Sequence, residues 1–540
     1  MIKLESVTFS YSSSDESVLK RVNLEIDKGE FVLVVGATGS GKTTLLKTIN
    51  RLAPSFTGGS FWGKIIVDEI EVTNKKPNEL AELIGYVGQN PAESFVTETV
   101  REELAYGMEQ LGVSPAFMAK RVEQIAKLVD IEKLLDAKLE EISGGEQQRV
   151  AIGAALAAGQ KLLLLDEPTS ALDAEIASKT MSLLRRLSKD EKITVILTEH
   201  RVERALEFLD SIVIVHKDGS VVKKPASVAF QELRIQPAII ALGKKMGWDP
   251  LETKLSKAQE RWKSSARELP VTVKPRRQFA STSDRKLIAS SKDICVTFGN
   301  IRALSKLNLS LESSQITAIM GKNGSGKSTA LWALQGSKPS QAASVTGQML
   351  IVGFDPAGMD AEDRLSCVAM VPQKASDLLF LNTLGKELAE SDSFSQSQQG
   401  TTSKTFENLM GRIDPGIHPR DLSNGQQIAL VLASQLTKDA PLILLDEPTR
   451  GLDYSAKRQL AEALVSLKQA GKAIVIASHD VEFVADVCDR VLVLEKGFVI
   501  AEGTPEELFL PGTEYATQIA EITQIPGLVN LQQIEVNNEG

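Results

Sequence analysis

Laid on itself at an offset of about 280 residues, the chain matches short segments in one conserved order, the mark of an internal domain duplication. "FVLVVGATGSGKTTLL" pairs with "ITAIMGKNGSGKSTAL", "IGYVGQNPAESFVTETV" with "VAMVPQKASDLLFLNTL", "KLLLLDEPTSALD" with "PLILLDEPTRGLD", and "ITVILTEH" with "AIVIASHD". Each half must therefore fold in the same way. In both, β-branched runs ending in glycine alternate with helical stretches, and the apolar runs read as strands buried on both faces. That predicts an α/β architecture built on a mainly parallel sheet, repeated in tandem.

The predicted organisation is one domain over 1–245, a basic polar linker over 246–290, and a second domain over 291–540. The linker reading rests on composition: "KPRRQ" and "STSDRK" lie there, with about ten basic against four acidic side chains from Leu251 to Ser290, as in a solvated tether. A net charge of −9 argues against a general nucleic-acid binder. Cys295, Cys367 and Cys488 are isolated, without metal-ligand or disulfide spacing, which suits a reducing compartment. No apolar stretch reaches the roughly 20 residues of a membrane span, so the chain is not expected to cross one.

Two segments carry chemistry on their own residues. Gly36, Gly39, Gly41, Lys42 and Thr43, followed by Thr44, and Gly321, Gly324, Gly326, Lys327 and Ser328, followed by Thr329, both satisfy G-x-x-x-x-G-K-[ST] directly after a strand-like run. Such a loop curls backbone N–H groups around phosphates, its lysine adds a point charge, and the Thr43 or Ser328 hydroxyl can ligate Mg2+. Asp166-Glu167 and Asp446-Glu447 end the apolar runs "LLLL" and "LILL". There the aspartate is placed to hold the magnesium shell and the glutamate to orient or deprotonate a water.

With these motifs in place, both halves resemble nucleotide-binding domains of ATP-binding cassette (ABC) proteins. The resemblance implies two P-loop NTPase domains, each with an antiparallel β subdomain and a helical subdomain, which bind and hydrolyse ATP with Mg2+. It makes Gln89 and Gln373 metal- and partner-sensing glutamines, and His200 and His479 the histidines that contact the γ-phosphate. Asp173 and Asp453 become residues of the interface loop, and Tyr11 and Phe298 the aromatics under adenine. Ser143, Gly144 and Gly145, and Ser423 and Gly425, become signature segments at helix starts. In the family's head-to-tail pairing the first signature completes the site built on Lys327, and the second completes the one built on Lys42. The second reads Ser423-Asn424-Gly425 where the first has Ser143-Gly144-Gly145. Two active but unequal sites are expected, the Lys42 site being the slower, with the loop at Asn424 tolerated because Asn accepts positive φ better than most residues.

Within the family, "IGYVGQNPAESFVTETVREELAYG" and the tails "IIALGKKMGWDPL" and "TQIAEITQIPGLV" are similar to those of energy-coupling-factor (ECF) importer ATPases. Such ATPases sit at the cytoplasmic face of the membrane and power uptake of vitamins or transition-metal ions through integral membrane scaffold and substrate-binding subunits. Two alternatives stand beside this reading. One is a soluble ABC-F type ribosome-associated factor, whose Asn-His-Leu-Asp is replaced here by "SALD" and "RGLD". The other is the tandem ATPase of a sugar importer, whose second phosphate loop commonly departs from the motif, whereas Lys327 and Ser328 are intact.

Overall fold

The computed structural model describes residues 1–12, 16–170, 172–233, 237–268, 271–274, 285–337, 343–437 and 439–536. They form two compact units, Met1–Pro237 and Ala238–Gly540.

In the first unit a six-stranded sheet runs in the order Val221–Pro225, Ser211–Val215, Phe31–Val35, Thr194–Thr198, Leu162–Asp166, Ile84–Val87. All its neighbours pair parallel except the edge strand Val221–Pro225. Every residue of Phe31–Val35, Leu162–Asp166 and Thr194–Thr198 is buried, as strands covered on both faces must be. A separate four-stranded antiparallel sheet is built from Leu19–Ile26, Ile2–Ser10, Ser60–Val67 and Ile70–Glu71. The helices Val100–Gln110, Pro115–Leu128 and Gly144–Ala154 form the helical part.

The second unit repeats this plan. Its six-stranded sheet runs Val368–Val371, Leu442–Asp446, Ala473–Ala477, Gln315–Met320, Arg490–Glu495, Phe498–Gly503, again with one antiparallel edge. Ile301–Glu312, Leu287–Phe298 and Ala343–Ile351 make its antiparallel sheet, and Leu384–Phe394, Thr401–Met410 and Asn424–Leu436 its helical part.

The segment predicted as a linker differs from a tether. Helix Leu255–Glu268 buries Ala258 and Trp262, and Gln259 donates to the Glu521 carbonyl at 2.8 Å. Trp248 is buried with its Nε1 on Ser265 Oγ at 3.0 Å, and Val271–Val273 pairs antiparallel with Ile534–Val536. The charge count missed a Leu255, Ala258, Trp262 spacing that sets one apolar helix face. The second unit accordingly begins at Ala238 and its first long strand at Leu287; of the basic run, 275–284 lie outside the described residues. No described helix is long and apolar enough to cross a membrane.

Candidate functional site

In each unit a central strand runs into a ring of backbone. A Cβ on Gly36 would lie 2.4 Å from the Val215 carbonyl oxygen, and one on Gly321 2.3 Å from that of Leu494, so only glycine can follow these strands so closely. Gly41 and Gly326 sit at φ 101° and 105°, the left-handed region, and turn the chain into helices Lys42–Ile49 and Lys327–Leu334. Gly39 and Gly324, each at φ 77°, face open space at the ring's tip. Lys42 Nζ donates to the carbonyls of Gly36 and Ala37 at 3.0 and 3.1 Å, and Lys327 Nζ to those of Gly321 and Lys322 at 2.8 and 3.2 Å. Both ammonium groups are buried across the mouth of the ring, and the buried hydroxyls of Ser40 and Ser325 have no partner among the described residues. Curled N–H groups, a captured cation and an orphaned hydroxyl fit a polyphosphate.

Beside the first ring, Asp166 Oδ1 accepts from Thr43 Oγ1 at 3.1 Å and from Thr198 Oγ1 at 2.6 Å. Burial pushes its carboxyl up, while the two hydroxyls oppose the shift. The backbone then turns through φ 51° at Glu167, whose N–H donates to the same Thr198 Oγ1 at 2.9 Å. The glutamate's oxygens are taken separately, Oε2 by Gln89 Nε2 at 2.9 Å and Oε1 by His200 Nε2 at 2.7 Å. Lys42, Thr43, Asp166, Glu167, Gln89 and His200 are thus brought together.

In the second unit, burial pushes the Asp446 carboxyl up to about 6, against a hydrogen bond from Ser328. Glu447 sits at φ 49° with its N–H on the Ala477 carbonyl at 2.9 Å, and His479 Nδ1 lies 2.8 Å from its Oε2. Gln373 is exposed on the loop after Val368–Val371. The bridging hydroxyl of Thr198 has no counterpart, since Ala477 ends the matching strand. Thr198 was missed in the sequence because strand-end threonines carry no motif; the contrast "ILTEH" against "VIASH" is the signal that could have found it. Among the described residues no group of three or more His, Cys, Asp or Glu could cage a metal. A magnesium ion held by one hydroxyl and one carboxylate would complete its shell with water and phosphate oxygens, its usual habit.

A second cluster in each unit holds the signature residues. Ser143 caps helix Gly144–Ala154, its Oγ donating to Glu146 Oε2 at 2.7 Å and its N–H to the same oxygen at 2.8 Å. These bonds hold the Glu146 carboxyl below the usual carboxylate range. Ser423 caps Asn424–Leu436 similarly, with its N–H on Gln426 Oε1 at 2.9 Å. A Cβ on Gly145 would meet Ile176 Cγ2 at 2.4 Å, and one on Gly425 the Gly451 carbonyl oxygen at 3.2 Å, whereas one on Gly144 meets nothing within 4 Å. Asp173 and Asp453 cap the neighbouring helices Ala174–Asp190 and Tyr454–Gln469, accepting from Ile176 and Ala456 N–H. Gly144 and Asn424 both open helices, so the position needs no positive φ. The expected reason for tolerating Asn424 is corrected: a residue that opens a helix needs no left-handed φ, and at the matching Gly144 an added Cβ meets nothing within 4 Å. The Asn424 side chain itself lies outside what is described.

Tyr11 is half-buried, edge-on to Phe9 at 4.9 Å, with its hydroxyl 2.9 Å from Thr44 Oγ1, which ties it to the phosphate-loop helix. Phe298 packs partly buried on the second unit's sheet core, and Thr329 follows Ser328 in the first turn of its helix.

Two nucleoside-triphosphate sites of P-loop type, each with a carboxylate pair at the end of a parallel strand, define a tandem ATPase. The ABC transporter family pattern matches residues 19–170 and 304–450, and the chain belongs to that family as a two-cassette ATP-binding protein. A chain from Streptomyces avermitilis, provisionally named an ABC transporter ATP-binding protein, is 37% identical over 97% of both chains. Among solved structures, the archaeal ribosome recycling factor aABCE1, crystallised with the stalk protein aP1, matches at TM-score 0.56 and 20% identity, covering 91% of this chain and 88% of that one. At that identity the likeness shows the fold alone. CbiO1 of Clostridium perfringens, part of the ABC transporter complex cbiONQ, is 30% identical at TM-score 0.39, covering 43% of this chain and 90% of its own. The chain binds and hydrolyses ATP as an ABC ATPase.

Proposed function

We propose that the chain is the ATP-hydrolysing subunit of an ECF-type importer, working at the cytoplasmic face of the membrane and driving uptake of a vitamin or transition-metal ion through separate membrane proteins. The observation that carries this reading is the segment after each sensing glutamine. In the first unit Glu103, itself buried, accepts from Val96 N–H, Thr97 N–H and Thr97 Oγ1 at 3.0, 3.1 and 2.9 Å, while Val96 stays 63% exposed. In the second unit Glu387 accepts from Phe380 and Leu381 N–H at 2.5 and 2.6 Å, and Phe380 is 77% exposed. A buried carboxylate thus pins a loop that presents one apolar side chain to the outside, a few residues from Gln89 or Gln373. That arrangement suits a membrane partner that must sense the state of the nucleotide.

In this reading Glu167 and Glu447 take the proton of the attacking water, and His200 and His479 steady those carboxylates and the γ-phosphate. Lys42 and Lys327 hold the outer phosphates, and Tyr11 and Phe298 lie under the base. Thr43, Asp166 and Gln89, with Ser328, Asp446 and Gln373, would hold Mg2+, which when bound neutralises phosphate charge. Ser143, Gly144, Gly145, Ser423, Gly425, Asp173 and Asp453 complete the nucleotide-binding sets. ATP does work here only by binding one conformation more tightly than another.

The test is isolation of the tagged chain from its own membranes. A small integral membrane scaffold protein should come with it, and less of it with Val96→Asp combined with Phe380→Asp. Ribosomes in its place would overturn the importer reading in favour of a soluble ribosome-associated factor.

A further inference from the structure

Two carboxylate networks lie behind the histidine loops, and they are built from different residues in the two units. In the first unit Glu199, immediately before His200, is only 3% exposed. Its Oε1 accepts from the N–H groups of His200 and Arg201 at 3.1 and 3.3 Å, which fixes the loop that carries His200. Its Oε2 accepts from Thr169 Oγ1 at 2.6 Å, two residues after Glu167. Arg204 closes the circuit: its Nη1 donates to Thr169 Oγ1 at 3.0 Å and to the Thr169 carbonyl at 2.5 Å, and its Nη2 to the Leu172 carbonyl at 3.1 Å, next to Asp173. A buried negative charge, its countercharge and a shared hydroxyl therefore join the His200 loop to the turn Glu167–Asp173.

The second unit has Ser478 and Phe483 at the corresponding positions, and the equivalent threonine, Thr449, is 3% exposed with its hydroxyl unpartnered among the described residues. There the charged pair stands on other residues. Asp480, the residue after His479, pairs with Lys457 at 2.6 Å on the helix that Asp453 caps. The first unit has Arg201 and Ala177 in those places, so neither network could form in the other unit.

We propose that Glu199 and Arg204 are positioning residues for hydrolysis in the first unit, bracing the His200 loop on Thr169 so that His200 and Glu167 keep their mutual geometry, and that Asp480 with Lys457 does the same in the second. This rests on the assignment of Glu167 and Glu447 as general bases. Displacements of about 1 Å in such a pair cost up to about a hundredfold in rate.

The test is steady-state Mg-ATP hydrolysis by the full chain carrying Glu199→Gln, Asp480→Asn, or both. Glu199→Gln keeps the volume and the amide can still bond Thr169, but the charge facing Arg204 is gone. With both braces broken, kcat should fall about tenfold or more with KM for ATP within about twofold, and each single variant should lie between. Arg204→Lys, which keeps the charge, should retain more activity than Arg204→Met. Thr169→Val in place of Glu199→Gln, deleting one hydroxyl, should give the same kcat loss. A doubly altered chain with wild-type kcat, or one that loses only ATP affinity, overturns the proposal. Glu167→Gln with Glu447→Gln, run alongside, separates the two failures. Continued turnover there removes the general-base assignment, whereas its silence beside a normal Glu199→Gln/Asp480→Asn chain removes only the brace.

Discussion

The two signature glycines of the first unit should respond in opposite ways to the smallest possible side chain. At Gly144 an added Cβ meets nothing within 4 Å and the backbone is helical, so Gly144→Ala should stabilise the helix by roughly 0.5–1 kcal/mol through lost chain entropy. At Gly145 the same methyl would sit 2.4 Å from Ile176 Cγ2, a branch-point methyl that cannot swing aside as the end of a long side chain could. Overpacking of that kind costs about 1–3 kcal/mol, offset in part by the same entropy gain, so Gly145→Ala should destabilise by about 1–2 kcal/mol. The two variants are then about 2 kcal/mol apart, which corresponds to roughly a 30-fold difference in the opening equilibrium of helix Gly144–Ala154. Amide hydrogen exchange across that helix reads this directly. Because Ile176 N–H bonds Asp173 at 3.0 Å, the strain at Gly145 should also reach Asp173 and lower ATP turnover, while Gly144→Ala and Gly144→Asn leave exchange at or below the wild-type rate. Equal acceleration by Gly144→Ala and Gly145→Ala would refute the argument from space, and with it the explanation for Asn424.

Asp446 gives a pH dependence in nucleotide- and metal-free protein. Its folded value of about 6 lies above the ordinary 3.8, so ionisation costs the fold stability as pH rises through about 4 to 6, at most about 3 kcal/mol by pH 7.5. Asp446→Asn should therefore raise the second unit's melting temperature at pH 7.5 but not at pH 4, while stopping hydrolysis there; a pH-independent effect would contradict the burial. Lys42→Ala and Lys327→Ala should remove unequal fractions of ATPase activity, since Thr198 bridges Asp166 and Glu167 in one unit and Ala477 cannot in the other; identical losses would count against two unequal sites. Trp262→Ala should cost about 3–5 kcal/mol, read by urea unfolding and by protease sensitivity of residues 255–268, where a solvated tether would lose nothing.

The sequence made the phosphate loops and the Asp-Glu pairs legible because their chemistry is local. A ring of N–H groups or a carboxylate at a strand end is specified by neighbours in the chain, and the apolar runs before them could only be buried strands. The Glu199–Thr169–Arg204 circuit joins residues about 30 positions apart through side chains of no motif, so only the folded chain could show it. Residues 246–290 went astray for another reason. Charge was counted where spacing mattered: Lys and Arg on one side of Leu255–Glu268 hid the Ala258 and Trp262 that hold it down. At Asn424 the sequence supplied a real difference and an unneeded remedy, since a helix-opening residue requires no left-handed φ.

The duplication itself separates what this fold must keep from what it can change. Gly36 and Gly321 are kept where a Cβ would strike a neighbouring strand's carbonyl, and Gly41 and Gly326 where φ exceeds 100°. Glu167 and Glu447 are kept at φ 51° and 49°, a region that disfavours them, which fits a residue retained for its carboxylate and held by its surroundings. Gly144, where an added Cβ meets nothing within 4 Å, is matched by Asn424 in the second unit. The second unit has Ser478 and Phe483 where the first has Glu199 and Arg204, and Asp480 and Lys457 where the first has Arg201 and Ala177. Removing one member of a buried charge pair leaves the other uncompensated, which is strongly destabilising, so each unit needs its own pair complete. The glycines are thus held by space and backbone angle, and the charges at the histidine loops by their partners.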